Sequence, residues 1–500
     1  MNNYFDLFVI GGGVNGCGIA RDAVGRNLSV ALCEQNDLAQ GTSSASTKLI
    51  HGGLRYLEHF EFKLVRESLI EREVLLNSMP HISWPLRFTL PHHSGLRPAW
   101  LLRLGLFLYD HLGGRKQLPA TKTIKLRKHA SGLPLKKDFS LGFEYSDCWV
   151  EDSRLVVLTA KDAMTRGARI LTRTTFISGV RKNNYWLIKV KDNRDDSIHI
   201  FHSKALVNCS GPWIKNVLAK GIKKNTTSAI RLVRGSHIVT KKLFPESNNY
   251  IFQNSDGRII FAIPYENDFT LIGTTDIDHK EDIDKAICSD EEKVYLTKSA
   301  SEYFKNSIGL NDIVWTFSGI RPLFDDNSSS AQKATRDYRI ETTAINGSLP
   351  LTNVFGGKIT TYRKLAEAVM VELKPFFNSL GPSWTKESTL PGGDFLISEL
   401  PSLIIQLQKT FPFLDKKWAK RLIRAYGTDA FSVLKGCSKK THLGKVFGWN
   451  LTEKEVRWLM ENEWAETAED ILWRRSKVGL RLSMNEINEL SSWISSVKNS

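Results

Sequence analysis

Three glycines and one acid mark the first site where this chain can do chemistry. Gly11, Gly13 and Gly16 follow an apolar run, Tyr4 to Ile10, in the spacing G-x-G-x-x-G, with Asn15 inside the turn. Glu34 closes a second apolar run, Leu28 to Cys33, eighteen positions after Gly16. Strand, glycine turn, helix, strand and acid in that order make a dinucleotide-binding fingerprint. Gly11 permits the tight turn, Gly13 lets the backbone approach a pyrophosphate, and Gly16 lets helix and strand pack closely. A helix over Gly16 to Arg26 turns free N–H groups and a positive dipole end toward the phosphates. Glu34 can accept hydrogen bonds from an adenosine ribose. The motif alone does not separate NAD from FAD.

Three later stretches have the same flavour. Residues 41–58 read GTSSASTKLIHGGLRYLE. The hydroxyls of Thr42, Ser43 and Ser44 can bond a cofactor phosphate or cap a helix. His51, Arg55 and Tyr56 flank a glycine pair. Ala205 to Cys209 forms a short apolar strand that ends in Ser210, Gly211, Pro212 and Trp213. There Gly211 lets the strand end approach a cofactor edge. Val354 and Phe355 lead into Gly356, Gly357 and Lys358, then Thr360 and an amphipathic stretch from Tyr362 to Leu373. That is a second glycine turn opening a helix, which suits either an anion or an ordinary N-cap.

The elements that must position these residues follow from the rest of the chain. Five hundred residues predict two to four domains. A chain 41% apolar and 24% charged is ordinary globular material, which excludes disorder, collagen and fibrous repeats. Six dispersed cysteines without a C-x-x-C pair argue against a zinc site or a disulfide framework. No signal peptide is visible and no apolar run reaches the length of a membrane span. Tyr250 to Phe252, Arg258 to Ile263 and Phe269 to Ile272 predict short strands in a mixed or antiparallel sheet. Beyond Gly393 the texture turns helical and tryptophan-rich, which predicts a small helical C-terminal domain.

The net charge is +16, and a pI near 9.4 implies an anionic partner. Residues 97–137 hold ten Lys or Arg against one acid, Asp110. Within them, Pro98 to Leu112 puts Trp100, Leu101, Leu104, Phe107, Leu108 and Leu112 mostly on one helical face. Arg103 and Arg115 are placed to reach lipid headgroups. This is the form of an in-plane membrane helix beside a polybasic stretch. A core helix under a solvated basic loop has the same pattern, and no nucleic-acid-binding module is evident.

Nine stretches in order from residue 9 to residue 367 carry a resemblance: VIGGGVNGCGIARDA, TSSASTKLIHGGLRYLEH, RPAWLLRLGLFLYDHLG, GFEYSDCWVEDSRL, NCSGPW, GSHIV, IGTTD, SGIRPL and FGGKITTYRKLAE. LPGGDF and ILWRRSKVG continue it toward the C-terminus. Together they resemble the aerobic, FAD-dependent, quinone-linked glycerol-3-phosphate dehydrogenases among the D-amino-acid-oxidase-like flavoproteins.

The resemblance implies FAD and an α/β fold: a discontinuous Rossmann-like FAD-binding domain (1–75, 150–225, 315–390), a mixed or antiparallel-sheet substrate and membrane-contact domain (76–149, 226–314), and a helical C-terminal domain (391–500). It implies that Gly11, Gly13, Asn15, Gly16, Glu34, Thr42, Ser43, Ser44, Gly211, Gly356, Gly357, Lys358 and Thr360 hold the cofactor. Arg55, Tyr56, Arg321, Lys358 and Thr360 would hold sn-glycerol 3-phosphate, since a phosphate dianion needs fixed cations and arginine offers it a planar fork. The implied reaction is hydride transfer from C2 to FAD, giving dihydroxyacetone phosphate. His237 is the candidate base, with His51 as rival, and Arg321 can stabilise the alkoxide. The electrons would pass to a quinone at an anionic membrane surface, on the cytoplasmic face of the inner membrane. No nucleic-acid partner is expected and a homodimer is left open. A soluble oxidase using O₂ and an FAD-containing RNA-modifying protein are the competing readings.

Overall fold

The computed structural model describes residues 3–224, 230–245, 248–254, 256–325 and 336–498; the side chains of Arg55 and His59 lie outside that description. Two sheets organise the chain. The first has eight strands and a parallel centre: Tyr4–Ile10 lies between Val30–Cys33 and Ile198–Asn208, with Ser348–Phe355 beyond the latter. These strands read as continuous apolar runs because both of their faces are buried. Leu7 and Val9 face one core, and Phe8 and Ile10 face another. Helices Val14–Gly25, Asp152–Thr165 and Tyr362–Leu373 cover the first face. Gly18 admits the neighbouring helix, since a Cβ there would stand 2.8 Å from the Tyr362 ring. An antiparallel meander, Thr174–Arg181, Trp186–Asp192 and Ile198–Asn208, covers the second face with Trp186, Ile188 and Val190.

The second sheet has ten strands and is mixed. Its spine is Ile230–Lys241 paired antiparallel to Ile313–Phe324, with His237 directly opposite Phe317. Asn249–Gln253, Ile259–Tyr265 and Phe269–Gly273 stand where the sequence puts three short strands. Residues 315–324 fall inside the sequence boundary of the nucleotide-binding domain, yet their ladder is with the second sheet. Strand alternation marks a half-buried face but not which partner supplies the other half. The first helix starts at Val14 rather than Gly16, directly after the Gly13 turn.

Residues 400–498 form helices around their own core of Trp418, Leu422, Ile423, Leu459 and Leu490. Helix Lys416–Tyr426 shows why. Trp418, Ala419, Leu422, Ile423 and Tyr426 share its inner face. Asp415 caps it, accepting from the Trp418 N–H at 2.8 Å.

Helix Ala99–Leu112 lies on the surface. Leu106 and Tyr109 are buried beneath it, whereas Trp100, Leu104 and Phe107 are 69%, 48% and 50% exposed on the outward face. Arg103 is half-buried, and Arg115 is exposed just beyond the helix end. They turn back to Thr121 Oγ1 and to the Leu118 carbonyl, each at 2.7 Å, because those acceptors lie within a side chain's reach. Lys122, Lys125, Arg127 and Lys128 remain exposed nearby. Among the described residues no helix is long and apolar enough to cross a membrane. All six cysteines are free thiols and buried.

Candidate active site

A cavity of about 400 Å³ runs between the two sheets. Its walls at one end are the first glycine turn. Gly11 has φ +107°, and a Cβ there would stand 2.5 Å from the Cys209 carbonyl; a Cβ on Gly16 would stand 1.9 Å from the Gly11 carbonyl. Side chains are thus sterically excluded where a pyrophosphate must approach the helix N-terminus. Glu34 sits at the end of its strand, accepting from the Gly12 N–H at 2.7 Å and the Asn36 N–H at 2.8 Å. Burial pushes its carboxyl above the usual range. Each oxygen keeps lone pairs for further donors.

Between the two alternatives for the hydroxyl loop, Ser43 caps the helix: its Oγ accepts from the Val14 N–H at 3.0 Å. Thr42 donates to the Ile320 carbonyl at 2.5 Å, tying the loop to the second sheet. Both line the cavity; Ser44 and Gly16 lie behind its wall. Asn15 reaches across to the second glycine turn, donating to the Gly356 carbonyl at 3.1 Å. Gly356 and Gly357, at φ +70° and +98°, make the tight approach of that turn possible. Gly211 lines the cavity beside them.

The other end is cationic. Arg321 donates to Asp276 at 2.9 Å, to Thr274 Oγ1 at 3.1 Å and to the Thr275 carbonyl at 3.4 Å. Gly235 leaves room for its fork, since a Cβ there would stand 2.3 Å from Nη1. Arg336 shares Asp276, at 3.4 Å. Lys358 Nζ is buried without a hydrogen-bond partner and stands 3.8 Å over the Tyr56 ring. Burial pulls its ammonium down to about 7. Thr360 Oγ1 accepts from the His51 N–H at 3.3 Å. Arg321 and Arg336 share Asp276, and Lys358 stands at the same end of the cavity with Asp337 and Glu61 as its nearest carboxylates, so this wall presents cationic donors that suit an anion.

The two histidines are placed differently. His51 lines the cavity, and burial with Lys358 and Arg72 nearby drives its imidazole down to about 3. His237 is fully buried and contributes no cavity surface. Its Nε2 stands 2.9 Å from the hydroxyl of Thr47, which does line the cavity. Its Nδ1 has no partner, and burial together with Arg321 and Lys48 pushes its pKa well down. Both imidazoles are therefore neutral near neutral pH.

Sequence reasoning missed Thr47, Asp276 and Arg336. Arg336 had no motif to single it out, and the Asp276 of IGTTD matters because it orients two guanidiniums. It also missed the support under the Gly52–Gly53 turn. The Gly52 N–H donates to Tyr109 OH at 2.8 Å, Tyr109 donates to Asp147 at 2.6 Å, and Arg72 neutralises Asp147 at 2.9 Å. The Arg55 side chain lies outside the described residues.

A glycine-lined pyrophosphate cradle with an acid at its ribose end and a cationic pocket at the other defines a dinucleotide-cofactor oxidoreductase of the doubly wound class. The excluded side chains at Gly11 and Gly16 and the unpartnered Lys358 Nζ fit such a cofactor. Residues 6–363 match the family described as FAD dependent oxidoreductase, and residues 383–495 match the C-terminal domain of alpha-glycerophosphate oxidase. The chain belongs to this FAD-dependent oxidoreductase family, and its cofactor is FAD. It is 49% identical to a glycerol-3-phosphate dehydrogenase of Pseudomonas aeruginosa, over 98% of this chain and 95% of that one. It is 48% identical to the D-erythritol 1-phosphate dehydrogenase of Brucella abortus, over 98% and 97%. The aerobic glycerol-3-phosphate dehydrogenase of Escherichia coli is 46% identical, over 98% and 97%. Among solved structures, the glycerol-3-phosphate dehydrogenase of Bacillus halodurans complexed with FAD superposes with a TM-score of 0.77 at 25% identity, covering 99% of this chain and 90% of that one.

Proposed function

We propose that this protein oxidises sn-glycerol 3-phosphate to dihydroxyacetone phosphate and delivers the two electrons to a quinone at an anionic membrane surface. The observation that carries the substrate is the cation set Arg321, Arg336 and Lys358 at one end of the cofactor cavity, offset by Asp276. Bound FAD supplies the hydride acceptor. Arg321, held by Asp276 and Thr274, and Lys358 bind the phosphate and orient C2, with Tyr56 and Thr360 beside them. The C2 hydroxyl hands its proton to the Thr47–His237 pair, the hydroxyl passing it to Nε2. The same arrangement suits a longer polyol phosphate, a second reading favoured by the 48% identical D-erythritol 1-phosphate dehydrogenase.

Anaerobic addition of sn-glycerol 3-phosphate to the purified yellow holoenzyme tests this. Bleaching of the flavin absorbance is the expected result. Bleaching by D-erythritol 1-phosphate alone transfers the assignment to that substrate, and no bleaching by either removes the polyol phosphate class.

Lys358 makes the reaction pH-dependent. Its ammonium is held down to about 7 by burial, so it is charged below that pH and neutral above it in the free enzyme. The expected result is a fall in kcat/KM as pH rises past about 7, approaching about tenfold per pH unit. Lys358→Arg keeps its proton throughout and is expected to abolish this limb.

Membrane docking rests on helix Ala99–Leu112, whose exposed Trp100, Leu104 and Phe107 stand among exposed lysines. An apolar stripe flanked by cations lies in the headgroup plane of an anionic bilayer. Replacing Leu104 and Phe107 by Glu removes two half-exposed anchors, each worth about half of a ~1.5–3 kcal/mol burial. Sedimentation with anionic vesicles is expected to show binding weakened by at least about tenfold, with dye-acceptor activity retained.

A further inference from the structure

The ILWRRSKVG segment sits far from any cofactor motif in sequence, yet it enters the active-site region from the C-terminal domain along two routes. The first route is ionic. Arg475 donates to both oxygens of Asp37 at 2.8 Å, and Arg474 donates to the same carboxylate at 2.6 Å. Asp37 and Arg475 are both fully buried. Asp37 lies three residues beyond Glu34, in a turn that closes on the glycine loop through the Ala39 N–H to the Gly12 carbonyl at 3.2 Å. The planar fork of Arg475 thus fixes the turn from which Thr42 and Ser43 reach the cavity.

The second route is aromatic. Trp473 stacks on Trp315 with centroids 4.4 Å apart at 15°. Trp315 packs on Phe317 at 5.0 Å, two residues along the same strand face. Phe317 stacks on the His237 ring at 4.7 Å and 10°. The stack runs across the Val239–Trp315 and His237–Phe317 cross-strand pairs, along the margin of the second sheet's apolar core, and ends on an imidazole. Lys477 adds a polar tie, donating to Ser153 Oγ at 3.2 Å; Ser153 adjoins Asp152, which pairs with Lys48 at 2.8 Å beside Phe317.

We propose that residues 473–475 of the C-terminal domain are positioning residues of the active site: Arg475 holds the Asp37 turn of the cofactor cradle, and Trp473 holds the His237 ring through Trp315 and Phe317. The second half rests on the reading of His237 as proton acceptor. The C-terminal domain then acts as a clamp on both sides of the reacting centre. One side governs how tightly FAD is kept, and the other how well the proton acceptor is aimed.

The test uses the holoenzyme and two separable readouts: FAD affinity, and the rate of flavin reduction by saturating sn-glycerol 3-phosphate with anaerobic mixing. Arg475→Lys keeps the charge and loses the fork. It is expected to weaken FAD affinity about tenfold while the FAD-saturated reduction rate stays within about twofold. Trp473→Leu is expected to slow reduction about tenfold, as a misaimed group does, with FAD affinity and substrate Kd within about twofold. Trp473→Phe restores a ring and is expected to recover the rate to within about threefold. In a His237→Ala background, Trp473→Leu is expected to add less than about twofold. Phe317→Leu cuts the same stack inside the second sheet and serves where Trp473→Leu yields no soluble holoenzyme. Unchanged FAD affinity in Arg475→Lys would overturn the cradle half. An unchanged rate in Trp473→Leu, failure of Trp473→Phe to recover it, or an undiminished Trp473→Leu effect without His237 would overturn the aromatic half. A His237→Ala enzyme reduced at the wild-type rate would instead overturn the proton-acceptor reading, and is distinguishable because the Arg475→Lys loss of FAD affinity persists.

Discussion

Replacing Arg321 by Ala is expected to lower kcat/KM for sn-glycerol 3-phosphate by about 10²–10⁴. A guanidinium fork gives a phosphate two charge-assisted hydrogen bonds, each worth about 1.5–3 kcal/mol. Losing both costs about 3–6 kcal/mol, and every 1.4 kcal/mol is tenfold. The fork is already aimed: Asp276, Thr274 and the Thr275 carbonyl hold it from the protein side. Little ordering cost is therefore left to binding. Arg321→Lys keeps a charge but cannot make the paired contacts, and is expected to recover part of the loss. Steady-state kinetics with an artificial dye acceptor measure this without the membrane step. A kcat/KM within threefold of wild type would remove Arg321 from the phosphate site and leave Arg336 and Lys358 as its cations.

Replacing His237 by Ala is expected to slow flavin reduction by about 10²–10⁴, the range of a positioned general base. The placement of the ring supports so large an effect. The imidazole is neutral, and the burial and charges of Arg321 and Lys48 that push its pKa well down also weaken it as a base, so the effect rests on geometry. Its Nε2 is 2.9 Å from a hydroxyl that faces the cavity. Its ring is clamped between Phe317 and the Gly273 backbone, where a Cβ would stand 2.1 Å from the imidazole. The depressed pKa also fixes the sign of its pH response. The histidine stays neutral below the ordinary imidazole range, so the reduction rate is expected to show no histidine limb near pH 6.5. Stopped-flow reduction compares His237→Ala with Thr47→Val and His51→Ala. A larger loss in His51→Ala, with His237→Ala falling less than about tenfold, would move the proton to the histidine that lines the cavity itself.

Much of the cofactor end was legible in the sequence because it is local. Gly11 to Glu34 is one strand–turn–helix–strand unit, and Gly16 answers a steric demand only five residues away, at the Gly11 carbonyl, whereas the Cys209 carbonyl that excludes a side chain at Gly11 is remote in the chain. The helix Tyr362–Leu373 was equally legible, since its apolar period and the preceding glycine turn lie in one stretch. The loop hydroxyls were ambiguous for the opposite reason. A serine that can cap a helix and a serine that can hold a phosphate look identical until the helix N-terminus is placed, and Ser43 is placed on Val14. The basic side chains of residues 97–137 are ambiguous for a similar reason: composition records a charge but not the acceptor, such as Thr121 Oγ1 for Arg103, that engages it.

By itself, then, the sequence determined the nucleotide-binding unit, the mixed or antiparallel second sheet, the helical C-terminal domain and the amphipathic pattern of Ala99–Leu112, whose exposure the structure decided. Periodicity, glycine sterics and charge density act over a turn or two and are readable in a string. The tertiary structure alone decided which cations share Asp276, which hydroxyl fronts His237, and that Trp473 and Arg475 reach Phe317's stack and Asp37. Those partners are separated by tens to hundreds of residues, as Asp37 and Arg475 are by 438. No local pattern encodes such a pairing, because it exists only once two sheets and a helical domain have closed on one another.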